Sequence, residues 1–212
     1  MNLYGFVGND GVDGVDYLGK KLKAFVKDDS VIKEVPKSLD GSHDGAVLIN
    51  WGAVSSIEGG FPASLWGFKV WRRVIVSGDL TIDAAWYVGG NGGGETKAHE
   101  ATHLALHGKW WNLLAAEINP LEAAYCDPCD SLAVGYAQAA SDYYYTEDEL
   151  ENAKFDLGEY KKINVTPARV RDMAAKVTGL EKKLPGIKST YETSAKNFNA
   201  KCVGKGMSRS DL

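Results

Sequence analysis

The stretch His99-Glu100-Ala101-Thr102-His103 lies where a glycine-rich segment at residues 89–94 gives way to a predicted helix. Side chains four positions apart on a helix share one face, and one helical turn rises only about 5.4 Å. The two imidazoles can therefore converge on one ion at the roughly 2.0–2.1 Å that zinc prefers. The pattern predicts a zinc site held by His99 and His103, with Glu100 beside it as a general base.

Histidine usage supports this interpretation. Three of the four histidines, His99, His103 and His107, fall within nine residues, and this crowding favours metal binding over a purely structural role. The alternative is a histidine pair packed in the core, because the apolar residues 104–106 indicate that the helix is largely buried. The remaining histidine, His43, stands alone, so no role is assigned to it.

A catalytic zinc ion keeps three protein ligands and one open position, so a third ligand is expected. Glu122, nineteen positions after His103, is the leading candidate because a second helix or turn could fold it back across the first helix. Asp130 is the second choice. His107 is disfavoured, since it rises about 12 Å from His99 on a straight helix, while two ligand nitrogens on one ion lie about 3.3 Å apart. The remaining candidates are Glu117, His107 or a cysteine.

The composition is that of a globular protein. The 212 residues have a hydrophobic content of 44% and a charged content of 25%, which indicates one main domain that buries about 70% of its unfolded surface. The net charge of -4, with basic and acidic residues interleaved, argues against nucleic acid as a partner. No apolar stretch reaches the length of a membrane span, and the N-terminus lacks a signal-peptide pattern. We therefore expect no membrane partner and no signal peptide.

β-Structure is predicted before the histidine motif. The segments 46–49, 68–76 and 80–88 are rich in β-branched and aromatic residues and are bounded by glycine or aspartate. Ser77-Gly78-Asp79 has the composition of a hairpin turn between the last two segments. A small sheet next to the metal helix could pair its edge strand with an extended peptide backbone. The glycine-rich segment is interpreted as a mobile rim of the site or a plain connector, with Thr96 as the helix N-cap.

Helices are predicted after the motif. Residues 131–145 favour a helix, and Thr146-Glu147-Asp148-Glu149 has the form of a capping box that opens another one. Thr166-Pro167 marks the start of a further helix, with threonine as N-cap and proline at the first helical position. Apolar residues then recur at steps of three and four over residues 170–191. This stripe indicates core packing, with Pro185 as a kink or a break.

The three cysteines are too few for a disulfide framework. Cys126 and Cys129 have the spacing of half a zinc site, but no second pair exists and Cys202 does not complete one. We interpret the pair as a local disulfide or as two free thiols in the turn beside Glu122. The cysteines leave the redox compartment undecided.

The His-Glu-x-x-His pattern at residues 99–103 resembles that of zincin metallopeptidases. The sequence Glu122-Ala-Ala-Tyr125 and its distance from the motif are similar to the gluzincin type, whose third ligand is a downstream glutamate. Aspzincins use an aspartate instead, but the sequence around Asp130 lacks their usual Gly-Thr-x-Asp context.

This resemblance implies a Zn²⁺ cofactor and the hydrolysis of peptide bonds, with Glu100 taking a proton from the attacking water. A donor must also stabilise the developing oxyanion. Several side chains are candidates for that donor, and none is assigned: His107, Tyr125 and the tyrosines at 143–145.

Two short N-terminal stretches resemble the conserved end of the core shell in RHS (rearrangement-hotspot) or YD-repeat proteins. They are Asn2-Leu-Tyr-Gly-Phe-Val-Gly-Asn-Asp10 and Gly14-Val-Asp-Tyr-Leu-Gly19, about a tenth of the chain, and Gly11 stands where the family usually has proline. In bacterial members this signature precedes a variable C-terminal domain, commonly a toxic effector with a cognate immunity protein. The resemblance implies an effector domain delivered by an RHS-type system, with an immunity protein as a candidate partner.

Together these observations predict an α+β fold, in which a small β-sheet is followed by the active-site helix and a helical C-terminal half, as in zincins. We expect residues 1–19 to be the end of an RHS-type core, residues 20–44 a linker, and residues 45–212 the metallopeptidase domain. The predicted function is zinc-dependent hydrolysis of a protein or peptide. The alternatives are a non-catalytic, metal-stabilised helical binding module and a metal-dependent hydrolase of a non-peptide substrate.

Overall fold

The structure is a computed structural model that describes residues 21–39, 43–58, 71–90, 93–126, 128–162 and 165–205. The RHS-like residues 2–19 lie outside the described residues, so that resemblance stays a prediction. The described part is mixed α+β, and the predicted fold class is confirmed at that level. Its strands are β1 (Lys33–Val35), β2 (Gly45–Trp51), β3 (Val54–Glu58), β4 (Trp71–Ser77), β5 (Leu80–Val88) and β6 (Ala123–Cys126). Its long helices are α1 (Gly93–Ile118), α2 (Cys129–Lys162) and α3 (Pro167–Cys202).

The described strands form two three-stranded sheets, in the orders β1-β5-β2 and β3-β4-β6. In the first sheet β5 is parallel to β1 and antiparallel to β2. In the second sheet β4 is antiparallel to both neighbours. The predicted hairpin between β4 and β5 is wrong, because the chain crosses between the sheets at Gly78. A Cβ on Gly78 would lie 2.0 Å from the Gly52 carbonyl oxygen, so this close crossing requires glycine.

The stretch expected to be a linker contributes to the folded core. Leu22 and Ile32 are almost completely buried, and β1 extends the first sheet. The Trp111 indole N–H donates to the Lys23 carbonyl at 2.6 Å, and the Asn119 side chain bonds both backbone groups of Leu22. Residues 21–39 are therefore packed against α1.

Helix α1 begins three residues before the predicted N-cap Thr96, so that prediction is wrong. Gly90 has a φ of 107°, a left-handed conformation that glycine adopts without strain. The Gly93 N–H donates to the Gly90 carbonyl at 3.0 Å. This turn starts α1 inside the glycine-rich segment and places Thr96 in its first turn.

Helix α2 is continuous across the residues expected to cap a new helix. The Thr146 hydroxyl donates to the Asp142 carbonyl one turn earlier, which is a contact made inside a helix. The predicted capping box at residues 146–149 is therefore wrong. Helix α3 begins at Pro167 after Thr166, as predicted, and Pro185 lies within it without dividing it.

The main core lies between α1 and the second sheet. Trp111, Leu114 and Ile118 of α1 pack with Val74 and Val76 of β4, and all five are almost completely buried. Helix α2 adds small side chains to this cluster, and they let the helices approach closely. These are Ala133, Ala137 and Ala140.

Helix α3 packs on α2 through a second cluster of buried residues, Leu150, Ala153, Val177 and Leu180. The carboxylate of Glu117 adds a polar link between the three helices. It accepts hydrogen bonds from tyrosine hydroxyls on α2 and α3, namely Tyr136, Tyr144 and Tyr191. Among the described residues, no helix combines the length and apolarity that a membrane span requires.

A disulfide joins Cys129 at the start of α2 to Cys202 at the end of α3. Cys126 is a free thiol. The interpretation of Cys126 and Cys129 as a local disulfide or as two free thiols is therefore wrong. The reason is topological, because α3 returns along α2 and brings its last residue beside the first residue of α2.

Removing this disulfide should destabilise the helical half. The two cysteines are 73 residues apart in sequence. Without this bond the unfolded chain gains conformational entropy, which favours unfolding. We expect Cys202→Ser to lower the free energy of unfolding by about 2–4 kcal/mol in urea titrations without reductant. Cys126→Ser is the matched control and should change this free energy by less than about 0.5 kcal/mol. Equal stability of the wild type with and without reductant would contradict the pairing.

Candidate metal centre

The candidate centre lies between α1 and α2, which run antiparallel to each other. His99, His103 and His107 follow at steps of four on α1, and each contacts a polar side chain on α2. The residue numbers of the partners decrease along α2 as those of the histidines increase along α1. Asp156 contacts His99 and His103, and Asp148 contacts His107. Two helical stripes of the same period therefore face each other in register.

Three atoms converge at the end of this interface nearest the start of α1. The Nε2 atoms of His99 and His103 lie 3.1 Å apart. Asp156 Oδ1 lies 2.9 Å from His103 Nε2 and 3.3 Å from His99 Nε2. These three residues are the described group whose ligand atoms are close enough to share one metal ion.

The spacing of these atoms fits a small divalent ion. Ligand atoms at about 2.0–2.1 Å from a tetrahedral ion lie roughly 3.3 Å from each other. The three observed separations are 2.9, 3.1 and 3.3 Å. Two imidazole nitrogens and one carboxylate oxygen also form a donor set that zinc accepts. The residues present therefore fit a metal ion held by His99, His103 and Asp156.

Asn152 orients the second histidine. Its Oδ1 lies 2.6 Å from His103 Nδ1. An amide oxygen can only accept, so Nδ1 carries a proton and Nε2 is the atom directed at the centre. This is the arrangement in which an outer hydrogen bond fixes the tautomer of a metal-binding histidine.

The hydrogen bonds continue from Asn152 toward His107. The Asn152 amide N–H group donates to Asp148 Oδ1 at 2.8 Å. The other Asp148 oxygen accepts from His107 Nδ1 at 2.7 Å. Asp148 and Asn152 are both buried, so these bonds satisfy polar groups that water does not reach. A continuous chain of hydrogen bonds thus connects His103 to His107.

Phe155 forms an apolar wall of the centre. Its ring centroid lies 4.8 Å from that of His99 and 5.2 Å from that of His103. The side chains of His99 and Asp156 nevertheless remain 26% and 20% exposed. The centre is thus enclosed on one side and reachable from solvent on another.

Glu100 is buried between α1 and the first residue of β2. Its relative exposure is 5%, and a Cβ on Gly45 would lie 2.7 Å from Glu100 Oε1, so glycine leaves the room that this carboxyl occupies. Burial raises the pKa of the Glu100 carboxyl, while the charges of His103 and His99 oppose that shift. The net effect is a carboxyl that holds a proton more readily than an exposed glutamate.

Opposing effects act on the pKa values of His103 and Asp156, which face each other across the two helices. Burial alone would lower the pKa of His103, but its hydrogen bond and charge interaction with Asp156 raise that pKa overall. Burial would raise the pKa of Asp156, but hydrogen bonds from His103 and His99 hold that pKa well below its usual range. Tyr160, one turn after Asp156, also has a raised pKa, caused first by burial and then by the charge of Asp156.

The structure does not bring Glu122, the leading sequence candidate, to the histidine pair. Helix α1 continues from His103 to Ile118, about 22 Å along its axis, before the chain turns. Glu122 lies beyond that end, with its carboxylate oxygens 3.6 Å from Arg73 and 3.9 Å from Lys21. The fold-back across α1 that would bring Glu122 to the histidines does not occur.

The other candidate ligands also lie elsewhere. Asp130 is in the first turn of α2, about 39 Å along the helix from Asp156. One of its oxygens accepts from the Ser131 N–H at 2.7 Å, and the other is 3.5 Å from Arg72. The Glu117 carboxylate accepts hydrogen bonds from three tyrosine hydroxyls instead of facing the histidine pair. His107 contacts Asp148 rather than the centre, in agreement with the distance argument made for it from the sequence.

The aromatic candidates for oxyanion stabilisation lie away from the three ligand atoms. Tyr125 is buried against Phe198, and Tyr143 donates to Glu147. Tyr144 bonds Glu117, and Tyr145 packs against Trp51. The tyrosine nearest in sequence to the third ligand is Tyr160, which sequence analysis did not single out.

The roles of Asp156 and Asn152 were not predicted from the sequence, although the sequence carries a signal for them. Asp148, Asn152 and Asp156 repeat at steps of four on a predicted helical stretch, the same step as the three histidines. This matching period was the available signal. Only the register of α2 against α1 makes the two stripes meet, and register depends on tertiary packing.

Comparison with protein-family models, curated proteins and solved structures found no match to this chain. The relation to zincins and to RHS proteins therefore stays a prediction. The geometry of the three ligand atoms and of Glu100 carries the functional argument.

Loss of Asp156 should abolish tight metal binding. We expect Asp156→Ala to weaken zinc affinity by more than about 100-fold, because it removes one of three direct ligands. Zinc binding is measured by competition with a chromogenic chelator. Glu122→Gln is the matched control and should leave the affinity unchanged. The reverse ranking of the two variants would restore Glu122 as the third ligand.

Asn152→Ala should weaken zinc affinity by about 10–100-fold, because His103 loses the acceptor that fixes its tautomer. Nitrogen chemical shifts of the His103 ring, measured in ¹⁵N-histidine protein, should then report both tautomers. Glu149→Gln, on the same helix but outside the hydrogen-bond chain, serves as control. An unchanged ring spectrum in Asn152→Ala would contradict the orienting role.

Proposed function

We propose that the chain is a metal-dependent hydrolase of peptide bonds, with zinc as its metal. The observation that carries this proposal is the convergence of one atom each from His99, His103 and Asp156, beside the buried carboxyl of Glu100. Three protein ligands with an accessible side match the arrangement of catalytic zinc sites. When bound, the metal supplies Lewis acidity that activates water and polarises a carbonyl group.

Glu100 is the general base in this proposal. It directly follows His99 on α1. Its carboxyl is close enough to His103, His99 and Asp156 for their charges to change its pKa. Burial raises the pKa of its carboxyl, which makes it a stronger proton acceptor than an exposed glutamate. The same donor set can hold iron in oxygenases. Zinc is proposed because a buried carboxyl beside the centre fits proton transfer in hydrolysis.

A polypeptide is the proposed substrate because β2 begins at the centre and has one unpaired edge. Gly45, the first residue of β2, contacts Glu100. Among the described strands only β5 pairs with β2. An extended peptide can add to such an edge through backbone hydrogen bonds. This edge favours peptide hydrolysis over hydrolysis of a non-peptide substrate.

The effector role belongs to the same proposal and rests on residues 2–19. Their resemblance to the end of an RHS-type core supports a domain that acts after delivery, with a cognate immunity protein as partner. Hydrolysis of proteins inside a recipient cell is an activity that such an effector would use. The candidate metal centre supports the hydrolytic part of this proposal, and the N-terminal resemblance supports its context.

Glu100→Gln should retain zinc and lose hydrolysis by a factor of about 10²–10⁴, because it keeps the ligands but removes the proton acceptor. Zinc stoichiometry is measured by elemental analysis and hydrolysis with fluorescently labelled casein. His103→Ala is the companion variant, and it should lose both the metal and the activity.

Two results would contradict the proposal. Full hydrolysis by Glu100→Gln would remove Glu100 as the base. Stoichiometric zinc in a wild type that cleaves no casein would favour the metal-stabilised binding module. Growth inhibition on expression, relieved by Glu100→Gln, is the expected result for the effector role.

A further inference from the structure

A groove of about 750 Å³ lies between β2 and α2, next to the metal centre. Its volume falls in the range of functional pockets, roughly 300–1,000 Å³. One wall is β2 from Val47 to Trp51, and the other is α2 from Ser141 to Asn152. A smaller cavity continues it, since Ala53, Ser141 and Asp142 line both.

The strand wall presents its backbone to the groove. All five consecutive residues from Val47 to Trp51 line it, although side chains along a strand alternate between the two faces. A groove on one face of the strand would contact only every second residue. Because all five residues line this groove, we infer that it runs along the edge of β2. β5 occupies the other edge of β2. Within the described ranges, no strand covers the edge that faces the groove.

Two large apolar side chains stand exposed on opposite walls. Leu48 on β2 is 56% exposed, and Tyr145 on α2 is 40% exposed. Both line the groove. Exposed apolar side chains that line a groove can contact apolar groups of an occupant. They would contact the side chains of an extended segment lying between them.

The polar lining is acidic. Asp83, Asp142 and Glu149 line the groove, and no ion pair of the described residues includes any of them. Lys176 is the one lysine or arginine in the described lining. A fourth carboxylate, Asp148, is engaged by His107. The excess of negative charge complements a cationic occupant.

The groove adjoins the metal centre at Asn152. Asn152 lines it and also bonds His103. From Asn152 back to Ser141 the helix rises about 16 Å, which an extended peptide covers with about five residues. A peptide bond held at the centre would thus place the next four or five residues of one side along Leu48, Tyr145 and the acidic groups.

We propose that this groove is the substrate subsite beside the metal centre, and that it takes an extended polypeptide segment carrying basic and apolar side chains. The inference rests on the proposed function and names its substrate class. Backbone pairing with β2 supplies affinity for any extended chain. Asp142 and Glu149 select lysine or arginine within about five residues of the cleaved bond, and Leu48 with Tyr145 contacts the apolar side chains between them.

Binding can be tested without cleavage in the zinc-loaded Glu100→Gln chain. The probes are fluorescein-labelled decapeptides with identical apolar residues and with Lys, Gln or Glu at the same three positions. Fluorescence anisotropy should show the Lys peptide binding about tenfold more tightly than the Gln peptide, since each exposed charge pair contributes modestly. The Glu peptide should bind most weakly. The difference should shrink as salt is raised.

Paired variants separate a local site from the overall charge. Asp142→Asn with Glu149→Gln should remove the preference for the Lys peptide. Asp29→Asn with Glu192→Gln makes the same charge change outside the groove and should preserve that preference. Equal affinity for the three peptides would overturn the proposal. So would an equal loss of preference in both pairs of variants.

Casein hydrolysis and zinc content of the wild type are measured in parallel, so that the two proposals can fail separately. Hydrolysis with no charge preference leaves the peptidase function standing and overturns the charge selection. A charge preference with no hydrolysis overturns the assignment of the groove as a substrate subsite, together with the peptidase function. Preferential cleavage near lysine, lost in Asp142→Asn with Glu149→Gln, is the supporting result.

Discussion

The structure depends on the pairing of α1 with α2 through two polar stripes of equal period. His99, His103 and His107 meet Asp156, Asn152 and Asp148 because both sets repeat every four residues and the helices are antiparallel. A shift of one turn in either helix would leave buried carboxylates without donors. Such a mismatch is costly, since an unpaired buried charge destabilises a protein far more than an intact pair stabilises it. The stripes therefore specify the register as well as the metal centre.

Several independent contacts hold α2 in that register. Apolar packing places α2 against α1 and the second sheet through its alanines. The carboxylate of Glu117 on α1 binds hydroxyls of α2 and α3, and the disulfide joins the ends of α2 and α3. Asp156, the candidate third ligand, lies near the end of α2 that is farthest from the disulfide. Its position consequently reflects the packing of the whole helical half, not of one loop.

The parts of the site that sequence could predict are local. The i, i+4 spacing of His99 and His103 is a property of one helix, and the structure places both Nε2 atoms together as that spacing requires. The strands at 46–49 and 80–88 could be predicted for the same reason, because β-branched, aromatic and turn residues act over a few positions. The predicted hairpin between 68–76 and 80–88 failed at Gly78, because β4 and β5 join different sheets and the choice of partner strand depends on distant residues.

The parts that sequence could not predict depend on how separate segments meet. Glu122 was favoured for its distance along the chain, but α1 continues past His103 to Ile118. Thr146 is a residue type that often caps helices, yet α2 continues past it. The packing of α2 against α1 and α3 favours this continuous helix. Cys202 lacked a visible partner in sequence, and it gained one only because α3 folds back along α2.

Helix α2 carries both Asp156, the candidate third ligand, and acidic residues of the groove, and this links the proposed recognition of substrate to the candidate centre. Asp156, Asn152 and Asp142 are separated along α2 by fixed rises of about 1.5 Å per residue. A segment bound against Asp142 therefore lies at a set distance from Asp156. Sites carried on rigid elements hold such distances more closely than sites carried on loops. The hydrogen bonds from His103 through Asn152 to Asp148 extend this rigidity across the interface, since each member is fixed by the next. The proposed subsite and the candidate centre thus share one rigid helix, so the spacing between Asp142 and Asp156 is set by α2 itself.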